Sequence, residues 1–205
     1  ISTLNAPQRQ AVETLNGPLL ILAGAGSGKT RALTYRIANL VEHGVAPWSI
    51  LALTFTNKAA NELKERLTNL LGPEAQDIWA MTFHSACCRI LRRDIERMGY
   101  DKSFTIYDSS DSERVMKDII KDMGLDDKTF PAKVVLNAIS REKDNMTIPE
   151  QLLERAEQTN DLRILHIARA WKKYQTRLKE NNALDFDDII CVTVRLLQEH
   201  EDVRG

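Results

Sequence analysis

The stretch GPLLILAGAGSGKTRALTYRIANL, residues 17–40, restricts the fold of this chain more than any other. The apolar run Leu19–Leu22 has the length and composition of a buried parallel strand. A glycine-rich turn follows. Leu33, Ile37, Leu40 and Val41 then recur at helical spacing, and Gly44 stands where a helix commonly stops. Strand, glycine loop and helix in that order are the context required by the template of Gly, four residues, Gly, Lys and Ser or Thr. Its second half is intact as Gly28-Lys29-Thr30, but its first glycine is replaced by Ala23.

The residue types fit polyanion binding. In the run Ala23, Gly24, Ala25, Gly26, Ser27 and Gly28, the glycines let successive backbone N–H groups turn inward, and the helix N-terminus adds its partial positive charge. Lys29 is placed to reach the outer phosphates, and the Thr30 hydroxyl to ligate a magnesium ion bridging them. Ala23 falls at the strand end, before the turn tightens, so its methyl group need not obstruct the cradle. The bland alternative is a glycine-rich turn with a stray lysine, and the flanking strand and helix argue against it. The expected ligands are ATP or a related triphosphate, with Mg2+.

Two further apolar runs, ILALTF (50–55) and IWAMTF (78–83), alternate with helical patterns. Leu63, Leu67, Leu70 and Leu71 lead to Gly72-Pro73, and Cys87, Ile90, Leu91, Ile95 and Met98 lead to Gly99. This alternation predicts a parallel sheet with helices on its faces. FTIYD, ending at Asp108, is the last strand-like run. Ser110 with Glu113 reads as a capping box, Pro149 as a helix first turn, and Leu165, Ala168, Trp171, Tyr174 and Leu178 as one face of a long helix. The expected organisation is an α/β domain over 1–108, an all-helical subdomain over 109–183, and a return to the first domain over 184–205.

The 205 residues carry 28% charged side chains but a net charge of -1, so any nucleic-acid contact must come from a local patch. Three cysteines (Cys87, Cys88, Cys191) suit neither a disulfide framework nor a metal cluster. With no membrane-span or signal-peptide pattern, the chain reads as cytoplasmic, with no membrane partner.

Five ordered segments then decide the class: LNAPQRQAV, AGAGSGKTR, ALTFTNKAANELKER, TFHSACCRILRR and LDFDDII. Together they resemble the N-terminal part of superfamily one DNA helicases of the UvrD, Rep and PcrA group, in which the loop begins with alanine. The resemblance implies a RecA-like parallel sheet carrying the phosphate-binding loop, with an inserted helical subdomain. It also implies ATP-driven 3′ to 5′ movement on single-stranded DNA, a duplex junction ahead of the motor, a second motor domain in the same protein, and a role in DNA repair or replication.

The same resemblance implies roles for individual residues. Gln8 matches the glutamine that reads the adenine edge, which an amide can do because it donates and accepts at once; by itself Gln8 reads as helix surface. Arg31 matches a residue laid against the base. Phe55, Thr56 and Asn57 after the second run, and Phe83 and His84 after the third, match single-strand contacts, with the rings as stacking platforms. The rings would equally suit a core, and His84 a structural role. Lys58, Lys64, Arg89, Arg92 and Arg93 would add phosphate contacts, although interleaved acids make a solvated surface an equal reading.

Hydrolysis needs strand-end carboxylates. Asp108 lacks a following Glu, and Asp185, Asp187 and Asp188 follow the polar KENNA, which predicts no buried strand to deliver them. The resemblance places the acidic segment after LDFDDII, beyond Gly205. The chain is therefore expected to be an inactive N-terminal fragment. Two other classes fit parts of the pattern: a helicase–nuclease subunit, which shares these motifs, and a non-motor ATP-binding switch or small-molecule kinase, which has no reason to carry both TFTNKAA and TFHSACCRILRR.

Overall fold

In the computed structural model of the protein, residues 3–24 and 26–204 are described. The chain divides into two compact units, one ending at Ala86 and one beginning at Cys87.

In the first unit, α1 (Ala6–Glu13) starts from a capping box. Asn5 Oδ1 accepts from the Gln8 N–H at 3.0 Å, and Gln8 Oε1 accepts from the Asn5 N–H at 3.2 Å. α2 (Lys29–Glu42) packs against α1, and two of its side chains bind α1's free C-terminal carbonyls. Buried Asn39 donates to Val12 O at 3.1 Å, and Arg36 donates to Ala11 O at 2.7 Å and also to Thr14 O. The short strands β1 (Leu51–Thr54) and β2 (Trp79–Thr82) pair in parallel, from Leu51 opposite Trp79 to Thr54 opposite Thr82. Between them runs α3 (Asn57–Leu71), capped by the Thr56 hydroxyl, which accepts from the Ala59 N–H at 3.1 Å. Leu63 and Leu67, four residues apart on one face, bury against Ile37, Ile50, Ala52 and Ile78.

The buried strand expected at Leu19–Leu22 does not form. These residues take no regular secondary structure and pair with no strand among those described, and Leu20 and Leu22 are 81% and 88% exposed. The physical reason is that a run apolar on both faces is a strand only when neighbours supply hydrogen bonds and cover. Here β1 and β2 pair with each other alone among the described residues.

α4 (Phe83–Asp94) spans the division between the units. In the second unit, β3 (Thr105–Ile106) pairs in parallel with β4 (Ala183–Leu184). Between them lie α5 (Ser109–Asp122), α6 (Ala132–Asp144), α7 (Pro149–Thr159) and α8 (Leu162–Glu180); α9 (Phe186–Glu199) and α10 (Glu201–Arg204) follow. The helices close over Met116, Ile119, Ile139, Trp171, Tyr174 and Leu178. A second cluster gathers Leu91, Ile95, Phe104, Leu184, Val192 and Leu196. Pro149 does open α7. The α5 box, however, is Asp108 with Asp111 rather than Ser110 with Glu113. The carboxylate leaves β3 directly and reaches the first free N–H groups two residues before Ser110 does. β4 also corrects an expectation: despite the polar residues before it, Ala183 and Leu184 are fully buried and deliver Asp185. Two residues of strand are too short to show as a periodic run.

Among the described residues, no helix is long and apolar enough to cross a membrane.

Candidate nucleotide site and nucleic-acid surface

Helices α1, α3, α5, α8 and α9 begin with side-chain caps from Asn5, Thr56, Asp108, Asp161 and Asp185. α2 begins differently. Its N-cap is Gly28 at φ +83°, with no side-chain cap, and its first internal bond runs from Ala32 N to Gly28 O at 2.9 Å. Among the described residues no side chain caps the N–H groups of the first turn, and the helix dipole favours an anion there.

Gly26 has φ +73°, and a side chain added at Gly24 or Gly26 would meet nothing within 4 Å. Ser27 Oγ donates to Gly24 O at 2.7 Å, closing the turn. The Lys29 ammonium donates to Ala23 O and Gly24 O, both at 2.9 Å. The substituted alanine thus supplies a backbone carbonyl that tethers the lysine across the loop mouth. Thr30 is exposed beside Lys29 in the first turn of α2, with its hydroxyl available to an ion held by phosphate. Ala25 lies outside the described residues.

Gln8 sits over the loop. Its Nε2 donates to Ser27 O at 3.0 Å and would lie 2.6 Å from a methyl group added to Gly28. A primary amide has two N–H donors and two acceptor lone pairs. The capping box uses one lone pair and Ser27 one N–H, so one donor and one acceptor stay free on an amide already held in place. That is the pair an adenine edge needs. Arg31, in the same first turn of α2, donates to Thr3 Oγ1 at 2.7 Å and lies 5.8 Å from the Tyr35 ring centroid.

The exposed aromatic residues of the same unit carry the second feature. Phe55 and Phe83 follow β1 and β2 and so leave one edge of the parallel pair, where ligands of such sheets bind. Phe55 is 91% exposed, which rules out the core reading, and its ring lies 5.4 Å from that of Phe83 at 37°. Asn57 and His84 are exposed beside them, whereas the Thr56 hydroxyl is engaged as the α3 cap. The bases of α4 divide: Arg92 stacks 3.7 Å from the Phe104 ring centroid and Arg93 pairs with Asp94.

The strand-end aspartates of the second unit are committed to architecture. Lys143, buried on α6, bonds Asp185 at 2.8 Å and Asp188 at 2.9 Å, while Tyr174 donates to Asp185 at 3.0 Å and accepts from the Ser112 hydroxyl at 2.9 Å. Burial would lower the Lys143 pKa, but Asp188 and Asp185 outweigh it and hold the ammonium above the ordinary amine range. For Asp185, burial is outweighed by Lys143, aided by the Tyr174 hydroxyl, and the carboxyl is held low. For Asp188, more deeply enclosed, burial prevails over the same ammonium and raises it. Asp108 and Asp185 also line a polar cavity of about 250 Å3 with Ser112, Asn137 and Tyr174. The Lys143 contact has no sequence signal, since 42 residues separate it from Asp185.

The first unit thus sets a glycine loop running into an uncapped helix, with an amide and a guanidinium beside it, in the same α/β body as a tilted pair of exposed rings at the carboxyl ends of a parallel strand pair. The profile of the UvrD/REP helicase N-terminal domain matches residues 4–205, and the chain belongs to that family. It is 49% identical over 204 residues to ATP-dependent DNA helicase PcrA of Bacillus subtilis (strain 168), covering 99% of this chain and 27% of the relative. It is 46% identical, again over 204 residues, to the PcrA of Staphylococcus aureus (strain Mu50 / ATCC 700699), covering 28% of that protein. The chain thus spans roughly a quarter of the length of these relatives.

Proposed function

We propose that this chain is the ATP-binding N-terminal part of an ATP-dependent DNA helicase that moves 3′ to 5′ along single-stranded DNA in repair or replication. Residues 1–108 and 184–205 belong to a RecA-like motor domain on this reading, and 109–183 to a helical insertion. The observation that carries it is the α2 N-terminus: alone of the helices compared above it starts from a left-handed glycine without a side-chain cap, and it bears Lys29 and Thr30. The exposed, tilted pair Phe55 and Phe83 supports the DNA limb, because base stacking on exposed rings is sequence-tolerant and suits a strand that must slide.

In this scheme the first-turn N–H groups and Lys29 hold the phosphates, Gln8 reads the adenine edge and Arg31 lies against the base. Magnesium held by the Thr30 hydroxyl would neutralise charge on the phosphate oxygens. Asp108, Asp185 and Asp188 are engaged as caps and ion-pair partners. Accordingly, we expect the 205-residue chain to bind ATP but to release phosphate far more slowly than an intact motor, which adds arginines from a second domain worth about 10³–10⁵ in rate. Calorimetric titration with Mg-ATP tests the site. Lys29→Ala should remove most of the binding, and equal affinities for the two chains would refute the assignment.

A further inference from the structure

The proposal above leaves open how Arg31 is kept facing the base rather than waving in solvent. Arginine carries about 2 kcal/mol of rotamer entropy, so an exposed guanidinium gives little to a ligand unless something holds it beforehand. Two groups hold this one. Thr3, just ahead of α1, accepts from Nη2 at 2.7 Å. Tyr35 stands four residues along α2, on the same helix face, with its ring centroid 5.8 Å from the guanidinium carbon. The hydroxyl fixes one end of the planar group and the ring supports its side.

Both supports rest on a stiff base. Thr3 precedes α1 and Tyr35 lies within α2, and the two helices are joined by Arg36 and Asn39 bonding to α1 carbonyls. Gln8 belongs to the same assembly through Ser27 O. The base end of the nucleotide site is therefore a preformed platform.

We infer that Tyr35 and Thr3 are positioning residues that hold Arg31 as a preformed shelf for the nucleotide base, serving purines without discrimination while Gln8 chooses among them. The inference rests on the proposed placement of the base against Arg31. Stacking on a guanidinium uses the π-face that every base has, whereas an amide reads the edge. Loss of Tyr35 should thus weaken ATP and GTP by the same factor, and loss of Gln8 should narrow the difference between them. A ligand without a base should feel neither change.

The test is calorimetric titration of the 205-residue chain and its Arg31→Ala, Tyr35→Ala, Tyr35→Phe and Thr3→Val variants with Mg-ATP, Mg-GTP and inorganic tripolyphosphate. Tyr35→Ala should weaken ATP and GTP alike by about two- to fivefold, the range for one exposed cation–π contact, and leave tripolyphosphate unchanged. Tyr35→Phe, which keeps the ring, should bind as the unaltered chain does, and Thr3→Val should show a smaller loss of the same kind. If Arg31→Ala weakens ATP while Tyr35→Ala does not, the positioning inference is overturned and the base placement survives. If Arg31→Ala itself leaves ATP affinity unchanged, the base placement fails and the inference goes with it. Equal loss of ATP and tripolyphosphate in Tyr35→Ala would show general damage to the site and also overturn it.

Discussion

Replacing Lys143 with methionine would leave Asp185 and Asp188 facing each other without the ammonium that now bonds both at 2.8 and 2.9 Å. The side chains are 4%, 13% and 5% exposed in the order Lys143, Asp185 and Asp188, so water cannot replace the lost partner. Breaking a buried ion pair by removing one member costs about 3–5 kcal/mol. A second route reaches the same magnitude. A stranded carboxylate escapes by binding a proton, which at pH 7 costs about 1.36 kcal/mol for each of roughly three pH units above its ordinary pKa, or about 4 kcal/mol. That route adds a sign. A carboxyl whose folded pKa is raised contributes stability below its unfolded pKa and loses it as pH rises. The variant's deficit should therefore be near its full value at pH 7 and shrink to about 1–2 kcal/mol at pH 5. Urea unfolding followed by the fluorescence of Trp171, which lies in the same core as Lys143's neighbour Tyr174, measures it. Nucleotide binding should be retained, because these carboxylates serve architecture. A deficit below about 1 kcal/mol at pH 7, or one independent of pH, would refute the reasoning.

Three shorter expectations follow from the same geometry. Gly28→Ala forces a left-handed residue, costing about 1–2 kcal/mol, and sets a methyl group 2.6 Å from the Gln8 amide. Mg-ATP affinity should fall about tenfold or more by calorimetry, with circular dichroism unchanged. Gln8→Ala should narrow the preference for ATP over GTP in competition binding, and equal competition in the unaltered chain would defeat the base-reading role. At high pH, burial raises the Tyr100 hydroxyl from 10.0 to about 12 and also raises Tyr174, while the two aspartates raise Lys143. Raised folded values mean stability that is present below the unfolded pKa of about 10 and lost as pH climbs through 12. Urea midpoints between pH 8 and pH 12 should fall only in the upper half of that range.

The parts legible in the sequence are those written in local patterns. The helix over Lys29–Glu42, the runs that became β1 and β2, the α3 leucines and the Pro149 start all rest on spacing within a few residues. The run Leu19–Leu22 has a strand's composition yet forms no strand for a related reason: composition is local, but pairing depends on neighbours elsewhere in the chain. Non-local contacts left no trace. Lys143 among two aspartates, Asn39 on Val12 O and Gln8 on Ser27 O each join residues from 19 to 45 positions apart. β4 leaves no sequence signal because two buried residues cannot establish a period. The exposure of Phe55 was legible only through resemblance, since phenylalanine at a strand end more often enters a core.

The central claim, that one unit couples a nucleotide loop to a single-strand platform, is tested most directly by fluorescence anisotropy with a labelled oligothymidylate at fixed salt. The 205-residue chain should bind it, and Phe55→Ala and Phe83→Ala should each weaken binding by about 5- to 150-fold, matching about 1–3 kcal/mol per stacked base. The salt dependence should not change, because neither ring neutralises a phosphate. Binding by both variants equal to that of the unaltered chain, or no binding by the unaltered chain at low salt, would contradict the account.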